Sequence, residues 1–341
     1  MLLSVSIVSY NTAELTLQTL QSLEADVTSS QKLRKKTEVF VVDNNSSDDS
    51  VAKIKKYART SQLTITVIAN DKNLGFAAAN NQAIKQATGR YLLLLNSDTI
   101  VQLGTMEKLV QAFEFTPDEA TAVLSSARNK LDHLGILAAT LLNSDGTIQP
   151  QGGSFPSLSS LFFHMTLLDD LPLIGKLLPS TQHTGLRTNQ TAKLTIDDNL
   201  ELPPEKHDLI QSDWVGGTAL MIKRATVTEI GLLDENIFMY GEDVEWCMRA
   251  RAHHWDVAIH NGAYITHLQS QSSTSQNALK GELLGYLYIW SKHKPLWQLP
   301  LVKAIVLIGI ILRISLFHLL NQPAKAQVYT HILNSIRKSL T

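Results

Sequence analysis

Tyr91-Leu92-Leu93-Leu94-Leu95-Asn96-Ser97-Asp98-Thr99 is the stretch whose reading decides the fold: an unbroken apolar run that stops at a polar cluster. A short run with no polar face is a strand covered on both sides, as in a parallel sheet flanked by helices. Just upstream, residues 76–87 read as an alanine-rich helix closed by Gly89. Before it, the run 63–68 leads into Asn70-Asp71-Lys72-Asn73-Leu74-Gly75. Earlier still, the run 39–42 ends in Asp43-Asn44-Asn45-Ser46-Ser47-Asp48, and the run 5–8 ends in Ser9-Tyr10-Asn11-Thr12. Leu15, Leu17, Leu20 and Leu23 then give one face of a helix that Asn11 or Thr12 would cap. This βα rhythm predicts an α/β, Rossmann-like, mostly parallel sheet. Such sheets bind ligands outside the carboxyl ends of their strands, so the polar clusters after the first, second and fourth strands are expected along one rim.

Downstream, residues 106–134 have a helical pattern, restarted at Pro117-Asp118-Glu119. Residues 136–142 read as a strand entering a turn at Asn143-Ser144-Asp145-Gly146. The segment 155–179, rich in Leu and Phe with three prolines, is a mobile flap or a membrane-facing amphipathic element, and 181–208 is loop-rich. No internal repeat or low-complexity tract is visible.

The 341 residues carry 30 basic and 31 acidic side chains, with no block of one sign, so a nucleic-acid partner is not expected. A single cysteine, Cys247, excludes an intramolecular disulfide framework and fits a reducing compartment. The amino terminus reads as a first strand and not as a signal peptide. No Gly-x-Gly-x-x-Gly follows that strand, which disfavours a dehydrogenase.

Four positions invite chemistry. Asp98, at the end of a buried strand, would hold a divalent cation against a diphosphate, or would simply cap a following helix. Asp43 would accept hydrogen bonds from a base or ribose, or close an Asx turn. In Phe238-Met239-Tyr240-Gly241-Glu242-Asp243-Val244-Glu245-Trp246-Cys247-Met248-Arg249, a helix would bury Val244, Cys247 and Met248 and place Glu242 and Asp243 in its first turn. A carboxylate there serves either the helix dipole or a proton transfer from an attacking hydroxyl. His267, one of eleven histidines, follows a strand-like run.

Together these stretches resemble family 2 glycosyltransferases of the GT-A fold, in particular a rhamnosyltransferase-like branch. Residues 3–268 carry the resemblance, through VSIVSYNT, VFVVDNNSSDDS, NDKNLGFAAANNQAI, GRYLLLLNSDT, DWVGGTALMIKR, GLLDENIFMYGEDVEWCMRAR and WDVAIHNGAYITHL. The resemblance implies a nucleotide-sugar site at Ser9, Tyr10, Asn11, Asp43, Asn45, Asn73, Gly75, Asn80, Asn96, Ser97 and Asp98. Asn96-Ser97-Asp98 stands where the family has Asp-x-Asp; with the first carboxylate lost, Asp98 and His267 are the implied ligands of Mg²⁺ or Mn²⁺. Asp243 is the implied base, paired with Glu242, and Trp214, Gly216 and Gly217 would lie near donor sugar and acceptor. The implied reaction is a single inverting transfer to a hydroxyl of a glycan or lipid-linked acceptor in envelope polysaccharide synthesis, with dTDP-rhamnose one possible donor. A non-catalytic subunit of a synthase complex and a sugar nucleotidyltransferase are the alternatives. The extra length between Met106 and Leu134 implies an inserted helix.

Three units are expected: a nucleotide-sugar half at 1–150, an acceptor and catalytic half at 151–292, and an apolar helical segment at 293–341. Residues 301–320 are long enough to span the ~30 Å hydrocarbon core. Arg313 within them would cost at least ~2.5 kcal/mol in lipid, so a span, an in-plane helix and a helix buried in protein all stay open. Residues 296–320 are the expected membrane contact, peripheral or single-pass, on the cytoplasmic face of the inner membrane, and a homo-oligomer is possible.

Overall fold

The computed structural model describes residues 1–114, 133–169, 209–268 and 275–340. Strands β1 (Leu3–Ser9), β2 (Thr37–Asp43), β3 (Thr64–Ala69) and β4 (Tyr91–Asn96) alternate with helices α1 (Ala13–Ser29), α2 (Ser50–Ala58) and α3 (Phe76–Gln86). They pair in parallel in the order β3-β2-β1-β4. The chain continues through β5 (Thr99–Val101), α4 (Thr105–Glu114), β6 (Leu134–Leu142), β7 (Ile148–Gln149) and β8 (Gly152–Gly153) to α5 (Leu158–Met165). Then follow β9 (Leu209–Gln211), β10 (Trp214–Val215), β11 (Ala219–Lys223), α6 (Arg224–Ile230), α7 (Glu242–Ala252) and β12 (Asp256–His267). Helices α8 (Ser275–His293), α9 (Leu299–Leu319) and α10 (Pro323–Leu340) close the chain.

The apolar runs have two buried faces, as expected. Leu3, Val5, Ile7, Val39, Val41, Leu93 and Leu95 pack on one side with Leu20 and Leu23 of α1 and Leu109 of α4. Phe40, Val42, Leu92 and Leu94 pack on the other with Ala79 and Ala83 of α3 and Trp246 of α7. The serines of β1 fit this alternation. Ser4 and Ser6 are buried, their hydroxyls donating to Glu38 at 2.6 Å and to Asn80 at 2.7 Å.

Beyond β4 the sheet is mixed, because β11 runs antiparallel between β4 and β6 while β12 is parallel to β6. Residue 150 is therefore no break in the sheet. With β11 reversed on either side, β4, β6 and β12 all end on the same rim. The hairpin from β6 into β7 matches the turn read at 143–146.

Helices α5, α8, α9 and α10 bury a separate core that includes Leu161, Met165, Leu287, Trp290, Val306, Ile310 and Ile332. Arg313 is buried there, its guanidinium donating to the carbonyls of Met165, His164 and Gly309. A cation at the carboxyl end of α5 satisfies orphan carbonyls and meets the negative end of that helix. The opposite face of α9 exposes Leu301, Ile308, Ile311 and Leu312. Residues Leu296–Leu319 form one helical stretch long and apolar enough to cross a membrane.

Two local expectations change. Thr12 occupies the position before α1 but makes no side-chain cap; its hydroxyl donates to Ser97 at 3.1 Å. On α7, Glu242, Glu245, Trp246, Cys247 and Ala250 are buried, while Val244 and Met248 are only half-buried. The bulky Trp246 takes the sheet-facing position, and ion partners described below keep Glu245 inside. The helix restarting at Pro117, residues 170–179 of the segment 155–179, and all of 181–208 lie outside the described residues.

Candidate active site

A lattice of hydrogen bonds ties the strand ends together at the shared rim. The Asn11 amide donates to Ser46 Oγ at 2.9 Å, linking the loops after β1 and β2. Thr12 reaches Ser97 after β4, and the Asn96 amide donates to the Thr218 carbonyl at 2.9 Å just before β11. The Gly217 amide then donates to Asp243 Oδ2 at 3.0 Å. The Leu268 amide donates to the Asp98 carbonyl at 2.9 Å. Asp43, Asp98, Asp243 and His267 thus stand on one connected rim.

On the β1–β2 side, Asp43 accepts from the Ser46 amide at 2.9 Å and the Ser46 hydroxyl at 2.6 Å, which is the Asx turn. Asn11 and Asn45 adopt φ values of 54° and 69°, and Asn11 Oδ1 accepts from the Ser47 amide at 2.7 Å. Tyr10 and Asn45 are exposed. Asn73 Oδ1 accepts from Asn44 Nδ2 at 2.8 Å and from the Gly75 amide at 2.9 Å. Gly75 is needed as glycine: at φ 84° a Cβ would lie 2.3 Å from the Phe238 carbonyl oxygen. Two residues stand apart from the rim surface. Ser9 is fully buried against Thr12 and Thr16. Asn80 is 1% exposed, accepting from Ser6 and donating to the Phe76 carbonyl at 3.0 Å, so it pins α3 to β1.

Asp98 is followed by β5, not by a helix, which removes the capping reading. Its Oδ1 lies 3.3 Å from His267 Nε2. The other ring nitrogen, Nδ1, lies 3.1 Å from Gln149 Oε1. With Nδ1–H donating to that oxygen, Nε2 would turn its lone pair toward the carboxylate. A cation between them would relieve the repulsion. A carboxylate oxygen and an imidazole nitrogen suit Mn²⁺ or Mg²⁺, with remaining positions left to phosphate oxygens and water. Among the described residues no group of three or more His, Cys, Asp or Glu stands ready to hold a metal. A cation held by Asp98 and His267 would fill its remaining positions with other oxygen donors, water and phosphate among them. Gln149 was not singled out from the sequence; the orienting partner of a ligand histidine is a fold-level feature.

The two carboxylates opening α7 differ. Asp243 accepts from the amides of Gly217 and Val244, the latter at 2.8 Å; burial raises its pKa, and these donors oppose the rise. Glu242 is 5% exposed, and its Oε2 has no partner among the described residues. Burial first, and then the Asp243 charge, push its carboxyl up to about 8. Gly216 and Gly217 line Asp243: a Cβ on Gly216 would stand 3.8 Å from Oδ2, and one on Gly217 would press Phe76 at 3.1 Å. Trp214, half-buried, donates from its indole to the Ser154 carbonyl at 3.1 Å.

Residues 4–147 match the profile of "Glycosyl transferase family 2". That stretch is a family 2 glycosyltransferase domain. The glycosyltransferase is 22% identical over 278 residues to the N-acetylglucosaminyl-diphospho-decaprenol L-rhamnosyltransferase of Mycobacterium tuberculosis, spanning 77% of this chain and 78% of that one. Over 132 residues it is 30% identical to the uncharacterized glycosyltransferase YwdF of Bacillus subtilis, covering 38% of this chain and 46% of the other. Among solved structures, Staphylococcus aureus TarS 1-349 in complex with UDP-GlcNAc matches 100% of this chain and 82% of its own, with TM-score 0.52 at 15% identity. GalNAc-T7 with UDP, GalNAc and Mn²⁺ gives TM-score 0.55 at 15% identity, over 86% of this chain and 48% of that one. These likenesses show the GT-A fold.

Proposed function

We propose that this glycosyltransferase moves a sugar, with inversion, from a nucleoside diphosphate to a hydroxyl of a glycan or lipid-linked acceptor in cell-envelope polysaccharide synthesis. The observation that carries the reading is the approach of Asp98 to His267, 3.3 Å apart at the rim that also carries Asp243. Asp98 and His267 would hold Mg²⁺ or Mn²⁺, which when bound neutralises the diphosphate. Asp43 and Asn11 line the nucleoside side, and Gly216 and Gly217 let substrate approach the backbone. Asp243 takes the proton from the acceptor hydroxyl while that oxygen attacks the anomeric carbon opposite the diphosphate, whose bond to the sugar breaks. The raised pKa of Asp243 strengthens it as a base. One displacement inverts the anomeric centre.

The relative's printed name supports rhamnose as the sugar and a polyprenyl diphosphate glycan as the acceptor. The exposed apolar face of α9 supports contact with the membrane through residues 296–320; the cytoplasmic side follows from the proposed nucleotide-sugar donor. Trp297, 66% exposed just before α9, suits an interfacial anchor. Calorimetry with dTDP-rhamnose, UDP-GlcNAc and GDP-mannose in the presence of Mn²⁺ tests the proposal. One donor is expected to bind and to be hydrolysed slowly. Asp98→Ala should abolish metal-dependent binding, and Asp243→Asn should leave binding intact but stop turnover. Failure of every nucleotide sugar to bind with metal present would hand the case to a non-catalytic subunit.

A further inference from the structure

Helix α8 bears on the segment that carries Glu242 and Asp243 in two independent ways. The first is steric. A Cβ at Gly285 would lie 2.4 Å from the Tyr240 carbonyl oxygen, and one at Gly281 would lie 2.7 Å from that of Met239. The backbone they touch is wound through two successive left-handed residues, Tyr240 at φ 72° and Gly241 at φ 104°, directly before α7. For a tyrosine that conformation is costly and persists only where its surroundings impose it.

The second is electrostatic. Glu245, whose side chain is 0% exposed, accepts from Lys292 Nζ at 2.8 Å, His293 Nε2 at 2.9 Å and the Arg249 guanidinium at 2.8 Å. Lys292 also reaches Asp234 Oδ2 at 2.5 Å, and the Tyr288 hydroxyl donates to the same oxygen at 2.7 Å. Asp234 and Glu245 flank Glu242 and Asp243 in the chain, so α8 grips the segment on both sides of the carboxylates. A buried carboxylate with this many donors has little freedom to tilt. The donor-side residues Asp43 and Asp98 sit instead at the ends of β2 and β4.

We propose that α8, through Gly281, Gly285, Lys292 and His293, is the positioning element of the Glu242–Asp243 pair, setting the transfer step and leaving donor binding to the strand ends. The proposal rests on the reading of Asp243 as the base. Because α8 leads directly into α9, the helix that orients the base is also the one continuous with the apolar carboxyl-terminal unit.

The test compares the full chain with Lys292→Met, Lys292→Arg, Gly285→Ala and Asp243→Asn. Turnover is read as Mn²⁺-dependent hydrolysis of dTDP-rhamnose and UDP-GlcNAc, water replacing the acceptor; affinity is read by calorimetry with dTDP and UDP plus Mn²⁺. Lys292→Met and Gly285→Ala are expected to lower kcat by about tenfold or more, the scale of a base displaced by a fraction of an ångström, with nucleotide affinity within about twofold. Lys292→Arg should recover most of the loss. Lys292 has a side chain 36% exposed, so its variant remains decisive should Gly285→Ala fail to fold. A kcat within about threefold of wild type in Lys292→Met, while Asp243→Asn is inactive, overturns the positioning role. So does a loss of kcat and nucleotide affinity in step, the mark of general loosening. If Asp243→Asn still turns over, the base assignment itself fails.

Discussion

Glu242→Gln should make the protein progressively more stable than wild type as pH rises. In the folded chain the Glu242 carboxyl is buried with one oxygen unpartnered among the described residues, and its pKa stands at about 8 against an ordinary 4.5. Below the ordinary value both folded and unfolded chains hold the proton, and the group adds no pH dependence. Between the two values only the unfolded chain releases it, so stability falls with rising pH by up to about 1.4 kcal/mol per pH unit. Across the whole window the loss is at most about 5 kcal/mol, and it is complete once pH passes the folded value. Glutamine keeps the shape and carries no titrating proton. Urea unfolding of both proteins at steps from about pH 5 to pH 8.5 measures the difference, in which titrating groups remote from the Glu242–Asp243 pair cancel. An advantage of the variant growing by a few kcal/mol over that range is expected. A difference constant within about 0.5 kcal/mol would refute the neutral buried carboxyl. The same variant should retain measurable hydrolysis, because the proposed proton acceptor is Asp243.

Gln149→Leu removes the acceptor that places the His267 proton on Nδ1, and Mn²⁺ affinity in the presence of nucleotide should fall by about 10- to 100-fold with little change in thermal midpoint. Calorimetric affinity within about twofold of wild type would show that Gln149 does not orient the ligand. Arg313→Met strips donors from three carbonyls in the carboxyl-terminal core, and a loss of about 2–4 kcal/mol is expected from chemical denaturation. A loss below about 0.5 kcal/mol would mean that water or a neighbour replaces the guanidinium.

The rim was legible because parallel strands with two apolar faces leave little choice about where their polar ends go. Asp43 and Asp98 could be placed from the runs at 39–42 and 91–95 alone. What escaped were contacts made by the fold rather than by the local chain. Thr12 looked like a helix cap, yet its hydroxyl is claimed by Ser97, 85 residues away. Arg313 left a span, an in-plane helix and a helix buried in protein all open, because hydropathy counts the residue and not the carbonyls of His164 and Met165 waiting on another helix. Glu245 and Arg249 show the i,i+4 spacing of a helical ion pair, and that much was available to a reader. That Lys292 and His293 join them depends on how α8 docks. Gln149 sits in a two-residue strand too short to announce itself, although the turn at 143–146 predicted the hairpin that delivers it.

The pairing of β12 with β5 sets His267 opposite Thr99, the neighbour of Asp98. The separation of two side chains far apart along the chain is therefore fixed by a backbone ladder. A slip of one rung would turn the imidazole to the other side of the ribbon and dissolve the pair at once. Insertions or deletions elsewhere between the two strands leave that ruler untouched. On the proposed function, acceptor preference could thus be rewritten in the intervening stretches while the Asp98–His267 pair keeps its gauge.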